Sequence, residues 1–453
     1  MHDDPEVLVI GAGLAGLQAA LLLEDAGVDV MVLEASGQVG GRVRTVDLGD
    51  GPTEVGATTY GPTHLRALAL IERFGLETQQ FTDDVNFAYS VNGVLCSADD
   101  WPTSEGNRLV GDEREILPSR IDNYYMQAFL PFEGLDDWLD PRYADYDVPF
   151  GDFLRQRGLS DEALRLVNMC INANDIQTVS ALSIFRDAIK WRDVGYTDPK
   201  HFNQYGAAQY RPIFLTAGGQ RLPEAMAAAL SRPVALNRDV RAIRYGNDAV
   251  EVSCLDGSQY RARRVVVAVP IVTLRTLDFS PPLPPLLHEA IQTARASANT
   301  GFMLRAKRRF WRDDGLPASL WTDTLFERLL VGEREEGNDV LRIWINGDNA
   351  ERVDRLGDQA EGMLLDTLAN LRPSCAGQLE VIGRISWGAD PLIGGEKYVM
   401  GPGQVTRYGK CISEPVGPIH WAGEHHKSRD QGAEAALQSG ERAAAALIEE
   451  IRP

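Results

Sequence analysis

Near the start of the chain, Gly11-Ala12-Gly13-Leu14-Ala15-Gly16 sets three glycines at the spacing G-x-G-x-x-G. Glycines so placed permit a tight turn, let a pyrophosphate approach the backbone, and let a helix pack closely on a strand. A helix beginning there offers free N–H groups and a partial positive charge to that pyrophosphate. Glu34, followed by Ala35, stands where a carboxylate would grip a ribose diol. The chemistry implied is dinucleotide binding. His425 and His426 could supply a catalytic base, but as adjacent residues they make no triad.

Such residues need particular elements around them. Residues 6–10 are an apolar run ending at the glycines, which reads as a buried parallel strand. Helical spacing of Leu and Ala over 14–26 predicts a helix that Gly27 stops, and 28–33 predicts a second strand. The result is a βαβ unit. Helices are expected near 150–156, 161–172 and 182–192. Strands are expected at 242–245, 250–254, 264–268 and 419–422, with a turn at Leu255-Asp256-Gly257 and a last helix from Gly432 to about Ile451. This alternation predicts an α/β fold of two domains: a discontinuous Rossmann-like nucleotide domain (1–95, 213–285, 374–453) and a mixed α+β substrate domain (96–212, 286–373).

Composition narrows the partners. The 453 residues carry a net charge of −20, a poor surface for nucleic acid or anionic membrane. No apolar run is long enough to span a bilayer, and no basic and apolar leader precedes the first strand. The five cysteines form no C-x-x-C pair, which fits reduced thiols in a cytoplasm. A small-molecule substrate is expected. Oligomeric state stays open, a homodimer being one option.

Gly40-Gly41-Arg42 resembles the second motif of two-motif FAD enzymes, which favours FAD over NAD. Further along, Glu54-Val55-Gly56-Ala57-Thr58-Thr59-Tyr60-Gly61-Pro62, Ala217-Gly218-Gly219, Phe279-Ser280-Pro281-Pro282, Phe310-Trp311, Trp387 with Gly394-Gly395, and Trp421-Ala422-Gly423-Glu424 occur in order. Together they resemble the flavin monoamine oxidase and L-amino acid oxidase family. The resemblance implies that Gly56, Ala57 and Thr58 border the cofactor and that the backbone at Val240 meets the adenine. Gly423 and Glu424 would contact the diphosphate and ribityl chain, and Gly432 and Ala433 would face the pyrimidine edge of the flavin. Trp387 would pack on the flavin ring, and Gln209 would be a pocket glutamine.

The chain departs from that pattern in three places. Gly301 falls where the family has a lysine beneath flavin N5, so rapid reaction with oxygen is not expected. Lys397 replaces one ring of the family's aromatic pair, and Arg429 or His426 could fill the space of the other. Lys397 would pair with a substrate carboxylate, or else point to solvent or to a neighbouring acid such as Glu396. Glu396 itself stands where some relatives attach the flavin covalently and offers no thiol, so FAD is expected to be held noncovalently. The reading is an FAD-dependent amine oxidoreductase that oxidises an amine or amino-acid-like substrate to an imine. Desaturation on the same fold and a non-catalytic flavin-binding role are the alternatives.

Overall fold

The structure, a computed structural model, describes residues 4–49, 51–57, 59–80, 86–193, 212–247, 249–331, 340–426 and 430–452. Its first sheet begins with β1 (Val7–Ile10), whose four side chains are all buried, as a strand covered on both faces requires. The helix α1 (Leu14–Asp25) follows directly, then β2 (Val30–Leu33). Residues 28 and 29 do not join the strand, because the Val28 N–H still donates to the Leu23 carbonyl at 3.0 Å and completes the turn out of α1. The four strands run parallel in the order β2, β1, Arg264–Val267, Ile419–Trp421. Val9 pairs with Val32 on one side and Val266 on the other.

Against α1 lies the last helix, Gly432–Ile451, which fulfils the expected boundaries. The two helices approach at glycine. A Cβ on Gly440 would collide with the Ala15 carbonyl oxygen, and one on Gly16 with the Gly11 carbonyl oxygen. A second sheet sets Gln259–Ala262, Val250–Cys254, Val240–Tyr245 and Asp278–Ser280 side by side.

The third sheet has seven strands in the order Leu379–Ser386, Asn299–Ala306, Val340–Asn346, Arg328–Val331, Ser319–Thr322, Phe87–Val91 and Val94–Cys96. Residues 87–91, 94–95 and 379–386, which the sequence reading grouped with the nucleotide segments, are therefore in strands of this sheet. Their backbone groups pair with Ser319–Thr322 and Asn299–Ala306, not with β1 or β2. Short apolar strands do not announce which sheet they will enter.

Helices cover this region. Phe150–Gln156 is as expected, whereas Asp161–Cys170 ends two residues early because Ile171 turns extended (ψ 136°). Ser160 caps it, its Oγ accepting from the Ala163 N–H at 3.1 Å. The helix Ala181–Asp193 brings Phe185 against Phe132, Phe150 and Phe153, an aromatic cluster that anchors it to its neighbours.

The contact at Gly440 gives a direct test. Gly440→Ala should destabilise the protein by about 1–3 kcal/mol through overpacking, despite the better helix propensity of alanine. A thermal melt reads it as a lower midpoint; an unchanged midpoint would show that the two helices can part at no cost.

Candidate functional site

One cavity of ≈ 480 Å³ collects the residues singled out at both ends of the chain. Gly11, Gly13, Ala15, Glu34, Ala35, Gly40, Gly41, Arg42, Gly56, Ala57, Val240, Trp387, Gly423, Glu424, Gly432 and Ala433 all line it. Gly16 lies behind, at the contact of α1 with the turn. Thr58, Gln209 and Arg429 are outside the described residues.

Local backbone chemistry shapes the cavity. Gly11 has φ +103°, and its missing Cβ would meet the Ala268 carbonyl oxygen at 2.9 Å. Gly13 has nothing within 4 Å of where a Cβ would be, so its face is open to a bound group. The N-termini of α1 and of Gly432–Ile451 both reach this space through residues 13–15 and 432–433. Donors and partial positive charge thus converge where a diphosphate would need them. Glu34 is held from both sides: Oε2 accepts from the Ala12 N–H at 2.7 Å and Oε1 from the Ser36 N–H at 2.9 Å. Residues that converge in this way fit a dinucleotide.

At the far end, Trp387 is fixed. Its indole N–H donates to the Val55 carbonyl at 3.1 Å, and the Arg44 guanidinium lies 5.1 Å from its ring centre. Arg42 donates to the Glu396 carbonyl and stands 3.6 Å from the Glu424 carboxylate. Glu424 also accepts from the Tyr398 N–H at 3.1 Å. Burial pushes the Glu396 carboxyl above its usual range, although Lys397 and several arginines oppose the shift.

His425 and His426 are both buried, with ring centres 3.9 Å apart. Burial, helped by Arg42 and Arg442 and opposed by Glu424, lowers His425 to about 3. Burial and the neighbouring His425 push His426 well below its ordinary value. Both rings are neutral at physiological pH. His425 lines the cavity; His426 does not, and packs near Trp421.

A second cavity, ≈ 370 Å³, adjoins the first, and Trp344 and Lys397 line both. Lys397 neither points to solvent nor pairs with Glu396. Its Nζ forms a 2.7 Å ion pair with Asp187 from the Ala181–Asp193 helix. Burial would lower the ammonium, but Asp187, with Glu424 and Glu396, carries it above its usual value.

Gly301 lines neither cavity. Its partner across the strand pair is Trp344, and cross-strand partners share a face. The ring beside the glycine is therefore what meets both cavities. Trp344 and Asp187 were missed by sequence reasoning. The alternation over Val340–Asn346 marks Trp344 as facing opposite to Ile343 and Ile345, but not which space it faces.

The neutral histidine has a measurable consequence. Folding lowers the His425 pKa, so between about pH 6.5 and pH 3 the unfolded chain binds a proton that the folded chain does not. The stabilising difference is present above 6.5 and is lost as pH falls. Relative to His425→Gln, the parent protein should lose about 1.4 kcal/mol per pH unit below 6.5. Denaturant titrations at several pH values check this, and parallel curves for the two proteins would contradict it.

Known proteins with the same organisation bear on this site. The flavin containing amine oxidoreductase family matches residues 14–448. A flavin-containing amine oxidase of Danio rerio is 25% identical over 448 residues, covering 97% of this chain and 84% of its own. An L-amino acid dehydrogenase of Synechocystis sp. is 26% identical over 463 residues, covering 98% and 94%. Among solved structures, a redesigned putrescine oxidase has a TM-score of 0.82 at 23% identity, covering 98% of this chain and 99% of that one. Cyclohexylamine oxidase from Brevibacterium oxydans IH-35A has a TM-score of 0.81 at 24% identity, covering 99% and 100%. This chain belongs to the flavin containing amine oxidoreductases.

Proposed function

We propose that the protein binds FAD noncovalently and oxidises a small amine or amino-acid-like substrate held in the second cavity. The observation that carries this reading is the shared wall: Trp344 and Lys397 line both the ≈ 370 Å³ cavity and the nucleotide cavity. A substrate there would lie beside whatever occupies the Trp387 end. Bound in the first cavity, FAD supplies the two-electron acceptor for a hydride from the substrate C–H bond, leaving an imine for water to hydrolyse.

The chain's own residues prepare that encounter. Glu34 is oriented by the Ala12 and Ser36 N–H groups to accept from a ribose. Trp387 lines the first cavity and Trp344 both, so each presents an indole to the space where substrate and cofactor would meet. The Lys397–Asp187 pair places two opposite charges at the shared wall, so an uncharged amine meets no net charge there. None of the five cysteines lines the nucleotide cavity, which supports noncovalent attachment; all are free, which supports a reducing compartment such as the cytoplasm.

Two measurements test the reading. Anaerobic titration of the yellow protein with amines and amino acids should bleach the flavin band, and admitting oxygen should restore it slowly, because glycine at 301 supplies no cation. A flavin that no amine reduces would sink the assignment. Separately, acid precipitation should release the flavin into the supernatant. Yellow colour that stays with the pellet would mean a covalent bond.

A further inference from the structure

The second cavity carries charge of the opposite sign to the molecule. The chain has a net charge of −20, yet Arg120, Arg328 and Arg342 all line this one space. Its acids are Asp122 and Asp187, and Asp187 is paired with Lys397. Burial raises the Asp122 pKa to about 6, and Arg328 opposes the shift.

Sheet register organises two of these arginines. Arg328 pairs across the strands with Trp344, and Leu330 with Arg342. Because cross-strand partners and alternate residues share a face, Arg328, Leu330, Arg342 and Trp344 project from the same side of the seven-stranded sheet. Arg342 lies over the Trp344 ring, 4.0 Å from its centre. The Arg328 Nε is buried without a hydrogen-bond partner, and its Nη2 reaches Glu327 only at 3.5 Å. The Glu327 oxygens are meanwhile taken by the Asn346 N–H and the Asn349 amide, each at 3.1 Å.

We infer that Arg328 and Arg342, with Arg120 beside them, bind a carboxylate at the end of the substrate remote from the oxidised amine. The inference rests on the reading that this cavity receives the amine. Trp344 lines both cavities, whereas the three arginines line only the second. An anion on the arginines would thus lie in the second cavity and not in the nucleotide cavity. For that reason the carboxylate is assigned to the end of the substrate away from the reacting carbon. The substrate class is an amine or amino acid with a distal carboxylate, and the planar guanidinium forks suit that group.

The test uses the holoprotein and three kinds of probe. In anaerobic reduction, 6-aminohexanoate and glutamate should saturate at lower concentration than hexylamine. In Arg328→Met and Arg342→Met the half-saturating concentration for the carboxylated amines should rise about tenfold or more, with that for hexylamine unchanged. Arg328→Lys and Arg342→Lys keep the charge and should recover part of the affinity, which separates recognition from misfolding. Equal use of hexylamine, with no selective loss in the Met variants, overturns the distal carboxylate while leaving amine oxidation standing.

Glutarate, which carries no amine, is titrated by calorimetry alongside inorganic phosphate. Glutarate binding that disappears in the Arg328→Met/Arg342→Met double variant upholds the anion site even if no amine bleaches the flavin, an outcome that defeats only the proposed oxidation. Phosphate binding without glutarate binding overturns the carboxylate assignment.

Discussion

At the nucleotide end, the last helix packs so closely on α1 that a Cβ on Gly440 would collide with the Ala15 carbonyl, while Gly16 of α1 lies as close to the Gly11 carbonyl of its own turn. This contact lets α1 and the Gly432–Ile451 helix both send their N-termini to one cavity, although they come from opposite ends of the chain. The converging N–H groups offer an anion partial positive charge in the cavity that Arg42 also lines. The loop at Gly40 depends on the same geometry, since its N–H donates to the Ala12 carbonyl at 2.8 Å. Arg42 then hangs from that loop toward Glu396 and Glu424.

Around this frame, several buried ionisable groups are paired or kept neutral, because unpaired charge in a dry interior is expensive. Lys397 meets Asp187, and Arg42 meets Glu424. His425 and His426 stay uncharged. The second cavity gathers three guanidiniums in a molecule of net negative charge.

The two cavities meet because a sheet and a helix from different parts of the chain face each other. One face of the seven-stranded sheet supplies Trp344, Arg342 and Arg328, and the Ala181–Asp193 helix supplies Asp187. A slip of one residue in the Val340–Asn346 strand would exchange Trp344 and Arg342 for Ile343 and Leu341 on that face. Register, more than residue type, determines what a substrate would touch.

The sequence by itself determined the parts governed by neighbours along the chain. The glycine turn at Gly11–Gly16, the acid at Glu34, the βαβ start and the final helix depend on residues within a few positions of one another. The structure places them as that spacing implied, apart from a residue or two at element ends. Only the tertiary structure decided which sheet Phe87–Val91 and Leu379–Ser386 would join, that Lys397 would find Asp187, and that Trp344 would stand beside Gly301. Those outcomes follow from strand pairing and helix docking between distant segments. A hydrogen-bond ladder accepts any strand of suitable length, and an ion pair any acid within reach, so composition and spacing leave both undecided until the chain is folded.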